Sequence, residues 1–286
     1  MSHPVDAGHA TPELTELVLS LFEQKAAASA AGFMSHFARD RLTYTDATFG
    51  GQWTSHQALA AALGGLMATW RPPVATYPVK IIGDTSGAVV LFVNSAQLFG
   101  HELRVIAPLD LRDGKIERQV DYWDGRHFGT AATSQMRVPP DQYPAEFGES
   151  RIGERAPAVL RQVADTLAGA LSTGDAAAAA ALFTDDARFE DLTLHTAMVG
   201  RQAIGGFLDR ARDLLPYGLG TSVRHVVGSG QGGAYEWRNT GAAVPGGVVA
   251  LELDGESRIS RLTTVWDGSL IDDSAQTALL GATVER

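Results

Sequence analysis

The sequence has no cysteine, which removes disulfides, thiolate metal sites and cysteine nucleophiles together. It has no run of Lys or Arg, and its formal net charge is -10. Phosphate backbones and anionic lipid are therefore repelled, and neither nucleic acid nor a membrane is an expected partner. Long apolar runs are missing too: the longest small-residue run, Ala176 to Leu182, is too short and too rich in alanine to cross a bilayer. Met1 to Ala10 is polar and His-bearing with no apolar core, unlike a secretory signal, so a cytoplasmic location is expected. The eight histidines are scattered without His-x-His or His-x3-His spacing, and no metal is expected. Gly228 to Gly233 fits Gly-x-Gly-x-x-Gly in form, but a strand pattern (Ala234 to Asn239) follows where a dinucleotide site needs a helix N-terminus, so it reads as a hairpin turn. With no phosphate loop and no serine-nucleophile elbow either, the chain is expected to work without a cofactor.

What is present is ordinary globular composition, 45% hydrophobic and 20% charged over 286 residues, enough for two domains of about 140 residues, each with its own core. Thr11-Pro12 is a helix start, followed by apolar Leu14, Leu17, Val18, Leu21 and Phe22 at helical spacing. A short helix over Phe33 to Phe37, a strand over Leu42 to Asp46 and a Gly50-Gly51 turn come next. A third helix, Ser55 to about Trp70, carries a stripe of Leu59, Ala62, Leu63, Leu66 and Trp70. Pro72-Pro73 ends it, and four strands follow: Val74 to Ile82, Ala88 to Leu98, Leu103 to Leu111 and Lys115 to Trp123.

The same order is then written again. A helix with Leu160, Val163, Ala164, Leu167, Ala168 and Leu171 closes at Gly174; Ala176 to Phe183 is a short helix, Arg188 to Asp191 a strand, and Arg201 to Leu215 a long helix. Four strands complete it: Thr221 to Val227, Ala234 to Asn239, Val248 to Leu253 and Arg258 to Trp266. Tyr44 falls on Phe189, Asp46 on Asp191, Ala58 on Ala203 and Asn94 on Asn239 at one constant offset. After a two-residue contraction, Ile116 falls on Ile259 and Trp123-Asp124-Gly125 on Trp266-Asp267-Gly268. The period is far too long for a solenoid, so this is a duplicated domain. The expected division is 1–128, a linker at 129–154 that carries Pro139, Pro140 and Pro144, a second domain at 155–270, and a tail at 271–286.

The stretch with most chemical content is Ile116 to Gly125. Strand alternation sets Asp121 in line with Gln119 and Trp123, leaving Ile116, Val120 and Tyr122 on the other face with Arg118 interrupting. A carboxyl beside an indole and apolar surface is raised in pKa and exchanges protons near neutrality. Asp46 is the matching candidate, because two carboxylates facing one low-dielectric pocket do not both ionise cheaply, and Tyr44 offers a hydrogen bond to a carbonyl or enolate oxygen. Trp123, Asn94, Gln119, Trp70, His101, Asp191 and Arg238 are the candidate substrate contacts, with His101 at a hairpin tip as a reserve acid or base. For Arg238 the default partner is Glu236 or a neighbour in a surface ion pair.

Helices first, a strand ending in an acid, the Gly200-Arg-Gln-Ala-Ile204 helix start and a last strand ending in an aromatic-Asp pair resemble the SnoaL-like branch of the nuclear-transport-factor-2-like superfamily, once per half. The resemblance implies an α+β fold: two tandem cone-shaped barrels, each with N-terminal helices packed on a curved, mixed, mostly antiparallel sheet that encloses an apolar pocket. That branch includes polyketide cyclases, ketosteroid isomerases and limonene-type epoxide hydrolases. Val120 to Asp124 is similar to the segment that carries the acid/base Asp of the hydrolases and cyclases, which falls on Asp121. Tyr44-Thr45-Asp46 is similar to a water-holding Tyr-x-Asn, with Asp46 in place of Asn, while Leu91 to Ser95 lacks the hydrolases' Arg-x-Asp pair. Thr264 stands at the position matching Asp121, so the first half is the expected catalytic cone and the second a degenerate copy or a pseudo-dimer partner. The resemblance implies a cofactor-independent cyclase acting on a small hydrophobic, polyketide-like substrate. An epoxide hydrolase or isomerase and a non-catalytic ligand-binding module are the alternatives, and a homodimer of the chain stays open.

Overall fold

Thr11 and Pro12 start the first long helix as their chemistry predicts: the threonine hydroxyl accepts the Leu14 N–H and the proline takes the first helical position. In the computed structural model, which describes residues 4–284, the first half runs β1 (Asp6–Ala10), α1 (Pro12–Ala26), α2 (Ala30–Met34), β2 (Thr43–Asp46), β3 (Gly51–Trp53), α3 (His56–Met67), β4 (Thr76–Gly83), β5 (Gly87–Asn94), α4 (Ala96–Phe99), β6 (Leu103–Arg112) and β7 (Lys115–Asp121). Short helices α5 (Thr130–Met136) and α6 (Glu149–Ile152) follow. The second half then runs α7 (Ala158–Thr173), α8 (Ala176–Ala181), β8 (Phe183–Asp191), β9 (Thr196–Val199), α9 (Arg201–Arg210), β10 (Ser222–Ser229), β11 (Gly232–Arg238), β12 (Gly246–Leu253), β13 (Ile259–Trp266) and α10 (Asp273–Ala282).

The fold class is α+β, with two separate mixed sheets ordered β1-β4-β5-β6-β7-β2-β3 and β10-β11-β12-β13-β8-β9. The expected barrels are in fact curved open sheets, since β3 and β9 remain edges. In each half one parallel pairing brings an early strand beside the last one, β2 on β7 and β8 on β13. That pairing sets Asp46 opposite Asp121 and Tyr44 opposite Gln119 on neighbouring strands, where side chains in register share a face.

Several elements differ from the sequence expectation. β1 lacks apolar alternation, yet it pairs with β4 in parallel, and Lys80 reaches Asp6 at 2.5 Å. The predicted strand end at 95–98 is the short helix α4, closed by Gly100 at φ 79. α9 stops at Arg210 instead of Leu215, ahead of Pro216, a residue that disfavours helical backbone before it. Ile116 leaves its expected face: the β6–β7 register shifts between Asp110 and Leu111 by a bulge at Glu117 on β7, so Ile116 joins the core that also holds Trp123. Residues 129–154 fold against both sheets and bury Phe147, and α10 sends Leu279 into the second core. The predicted tail ends at 285–286, which lie outside the described residues.

Each half has its own apolar core. A third apolar cluster joins the sheets back to back, with Ile82, Leu91, Ile106, Val120 and Tyr122 meeting Val227, Ala234, Val248 and Val265. At its centre Arg118, fully buried, meets Glu236 at 2.7 Å and Asp110 at 3.3 Å, while His225 sits 3.0 Å from Asp110 and Tyr122 donates to Glu236 at 2.6 Å. The halves also exchange matched contacts: Gly125 N–H donates to Asp267 and Gly268 N–H to Asp124, both at 3.1 Å. Among the described residues no helix is long and apolar enough to cross a membrane.

Candidate active site

The buried stripe of α3 faces a void instead of close-packed neighbours, which is why Leu66 keeps 40% of its surface. That void is a cavity of about 410 Å³ in the first half, enclosed by α1, α3 and the concave face of the sheet. Its walls are apolar and aromatic, including Phe22, Phe92, Leu63, Met67 and Phe128. Into this surface project Tyr44, Asp46, Asn94, Gln119, Asp121 and Lys25.

Asp121 is 8% exposed. One carboxylate oxygen accepts the Tyr44 hydroxyl at 2.5 Å and the other accepts the Gln119 amide at 2.7 Å. Burial pushes its pKa up from the ordinary carboxylate value; Gln119, the Lys25 charge and Tyr44 pull the other way without cancelling it. Asp46 is held differently: Thr48 and Phe49 N–H groups donate to one oxygen at 3.0 and 2.9 Å, and the Trp123 indole donates to the other at 3.1 Å. Burial raises its pKa to about 7, the Phe49 N–H opposes the rise, and the Asp121 charge adds to it. The Tyr44 phenol is pushed well above its usual value by burial and then by the neighbouring Asp121 charge, so it remains a donor. The site thus pairs a two-donor carboxylate with a second acid titrating near neutrality, in low dielectric.

The structure gathers most of the predicted residues around this one chamber: Asp121, Asp46, Tyr44, Trp123, Asn94, Gln119 and Trp70 all line it. The Asn94 side-chain oxygen accepts the Thr76 hydroxyl at 2.8 Å. Trp123 stacks edge-on to Phe49 at 4.7 Å. The Trp70 indole N–H and the Gln119 carbonyl oxygen are buried without a protein partner. Three predicted contacts lie elsewhere. His101 is exposed beyond the wall, its ring 6.1 Å from that of Phe128. Asp191 is buried in the second half, where it accepts from Thr193, Leu194, Tyr217 and Trp266. Arg238 is exposed and reaches Ser222 at 3.5 Å. The expected Arg238–Glu236 pair does not form, because Glu236 is buried and committed to Arg118 across the interface while Arg238 stays exposed.

Lys25 is the residue that sequence reasoning missed. A lysine in the last turn of a helix reads as a solvated cation favoured by the helix dipole, yet this one is partly buried, with its ammonium 4.4 Å from the Phe92 ring centroid and 5.3 Å from that of Phe22. The signal was its spacing: Lys25 lies four residues after Leu21, on the buried stripe. A larger cavity of about 530 Å³ lies between the halves, but its carboxylate, Asp267, is already paired with Arg137.

Among the described residues the second half repeats the frame around a packed interior. Asp191 accepts two turn N–H groups and an indole as Asp46 does, and Thr193 donates to the Trp266 carbonyl as Thr48 does to that of Trp123, both at 2.7 Å. Its interior is filled by Phe189, Phe207, Tyr217 and Trp237. The family model for a SnoaL-like domain matches residues 163–266. No curated protein matches the chain. Similar solved structures include an NTF-2 like protein of unknown function from Burkholderia xenovorans LB400, 13% identical, covering 50% of this chain and 94% of that one with a TM-score of 0.34. Another is a protein with a ketosteroid isomerase-like fold from Catenulispora acidiphila DSM 44928 in complex with trimethylamine, 19% identical, covering 47% and 99% with a TM-score of 0.36. A third, with a cystatin-like fold, comes from Silicibacter pomeroyi DSS-3 (19% identical, 44% and 85%, TM-score 0.36).

Proposed function

We propose, on the premise that residues 163–266 form a SnoaL-like domain and residues 1–128 its companion copy, that the chain is a cofactor-independent cyclase or isomerase whose working chamber lies in the first half. The observation that carries this reading is the Asp121 carboxylate, on the wall of an apolar cavity and held by Tyr44 and Gln119. Asp121 takes a proton from carbon next to a carbonyl. Asp46 and Tyr44 supply a proton or a hydrogen bond to the oxygen that gains charge. Closing a ring in a polyketide-like ketone and shifting a double bond are both served by that pair of steps. The substrate class follows from the walls, which favour a small hydrophobic molecule with few polar groups.

The test is a panel of hydrophobic ketones assayed with the wild type and Asp121→Asn. The reading expects turnover to collapse while binding, followed by tryptophan fluorescence, is kept; equal turnover by the two proteins overturns it. Epoxide hydrolysis is the weaker reading, since Leu91 to Ser95 lacks the Arg-x-Asp pair that the resemblance to the hydrolases calls for. Incorporation of labelled oxygen from water into product would favour it.

A further inference from the structure

Among the 23 cationic side chains of the whole sequence only three are lysines: Lys25, Lys80 and Lys115. Two have evident structural work. Lys80 is clamped between Asp6 and Glu252, both at 2.5 Å, and Lys115 donates to the Ser35 carbonyl at 2.6 Å from an exposed position. Lys25 has no such partner. Among the described residues it makes no ion pair, and its ammonium lies against the Phe22 and Phe92 rings on the chamber wall that Tyr44, Asp46 and Asp121 also line.

Packing does not require an amine there. When the buried stripes of α1 and α7 are put in step, Leu14 on Leu160, Val18 on Ala164 and Leu21 on Leu167, Lys25 falls on Leu171, which is buried in the second core. The left-handed residues that close both helices, Ala28 and Gly174, fall in step as well. The same position is thus filled by leucine where the interior is solid and by lysine where it is hollow. Desolvating a cation costs free energy that leucine avoids, so the lysine has to be explained by what enters the cavity.

We infer that Lys25 is a covalent catalytic residue, an amine nucleophile that forms an iminium with a hydrophobic ketone or aldehyde held in the chamber. The inference rests on the proton-transfer reading of the same site and names its substrate class, a carbonyl compound with hydrogen on the adjacent carbon. The neutral amine nitrogen attacks the carbonyl carbon, the C–O π pair moves to oxygen, and that oxygen takes a proton from Asp46. The ionised Asp46 then takes a proton from the positively charged nitrogen and hands it to the hydroxyl oxygen, and the freed nitrogen lone pair forms C=N as the C–O bond breaks and one water leaves. The resulting iminium is an electron sink: Asp121 removes the neighbouring proton to give an enamine, whose carbon attacks a second carbonyl of the same molecule as the iminium re-forms, and the oxygen of that carbonyl takes the proton back from Asp121. Addition of water returns the carbonyl and frees Lys25. No oxidant, reductant or other co-reactant is needed. Burial pushes the Lys25 amine down to about 8, against the pull of Asp121, so about a tenth of it is neutral at pH 7.

The probe is 1-phenyl-1,3-butanedione, a hydrophobic diketone that converts a lysine iminium into a conjugated, stable enaminone. Full-length protein is incubated with it near neutral pH and analysed by intact mass and peptide mapping. The expected result is one adduct, of the diketone less one water, on Lys25 ahead of Lys80 and Lys115, and its absence in Lys25→Met. No adduct on Lys25, or labelling of Lys115 first, overturns the inference. Lys25→Arg keeps the charge and cannot form the iminium, so loss of carbonyl turnover in it supports the covalent role and retained turnover overturns it. The two proposals fail separately. If Asp121→Asn loses turnover while Lys25→Arg keeps it, only the iminium falls; if Lys25 is labelled and Asp121→Asn turns over normally, only the proton-transfer reading falls.

Discussion

The two halves share a frame and differ in its contents. Both keep an Asp that accepts two turn N–H groups and an indole, a Thr that donates to a tryptophan carbonyl, and a Trp-Asp-Gly corner that reaches the other half. Four of the six polar side chains of the first chamber are replaced in the second half. Lys25 becomes Leu171; along the matched parallel strands Tyr44 and Gln119 become Phe189 and Leu262, and Asp121 becomes Thr264, whose hydroxyl donates to the Val248 carbonyl. What recurs in both halves, Asp46 included, answers a need of the fold; what stands only in the hollow half answers a need of the contents. By that criterion the proposed chemistry rests more on Asp121 and Lys25 than on Asp46.

The comparison breaks most visibly at Asp121. Asp121→Asn is expected to lower turnover by about 10²–10⁴-fold, the usual worth of a positioned acid or base, whereas Thr264→Val leaves the rate unchanged in the same steady-state assay. Of similar size is the effect at the joint between halves. Burial works against the charge of Glu236, yet Arg118 beside it holds its carboxyl below the usual range. Arg118→Ala would leave Glu236 and Asp110 uncompensated, a loss of about 3–5 kcal/mol measurable by urea denaturation, and Arg118→Met with Glu236→Met should restore a large share.

Smaller effects sharpen the contrast. Tyr44→Phe copies the second half at one atom. It removes a donor that favours ionised Asp121, so the carboxyl pKa moves further up and the acidic limb of the pH–rate profile shifts to higher pH. The smallest change is expected for Lys25→Met. The folded state lowers the Lys25 pKa from 10.5 to about 8, so between those values the unfolded chain holds more protons and wild-type stability rises with pH. Below pH 8 the cost of the buried charge is present in full. Methionine removes it, raising Tm at pH 7, and the gain should fade as the pH passes 10.5.

How much of this could be read in the sequence depends on how local each cause is. Period-two alternation was enough to place Gln119, Asp121 and Trp123 on one face, and helical spacing to find the α3 stripe with Trp70. The duplication alone exposes the Asp121–Thr264 difference. Glu117 could not be assigned, because the bulge that moves it to Arg112 and Arg155 depends on the pairing with β6. Arg118 looked like an interruption of an apolar face because its partner Glu236 lies on a strand of the other half. Nor could His101 be told from a chamber residue, since the direction of a hairpin tip depends on α4, the short helix that replaces the end of the preceding strand. Lys25 was hidden by the habit of reading charged residues at helix ends as solvated.

The central claim, that the first chamber moves protons through Asp121 while the second cannot, is tested most directly by hydrogen exchange. 4-Phenyl-2-butanone in deuterated buffer, followed by NMR, reports proton removal next to a carbonyl without any knowledge of the natural substrate. The account predicts catalysed deuterium uptake with the wild type and with Thr264→Val, and uptake at the buffer rate with Asp121→Asn. Uptake by Asp121→Asn at the wild-type rate would contradict it.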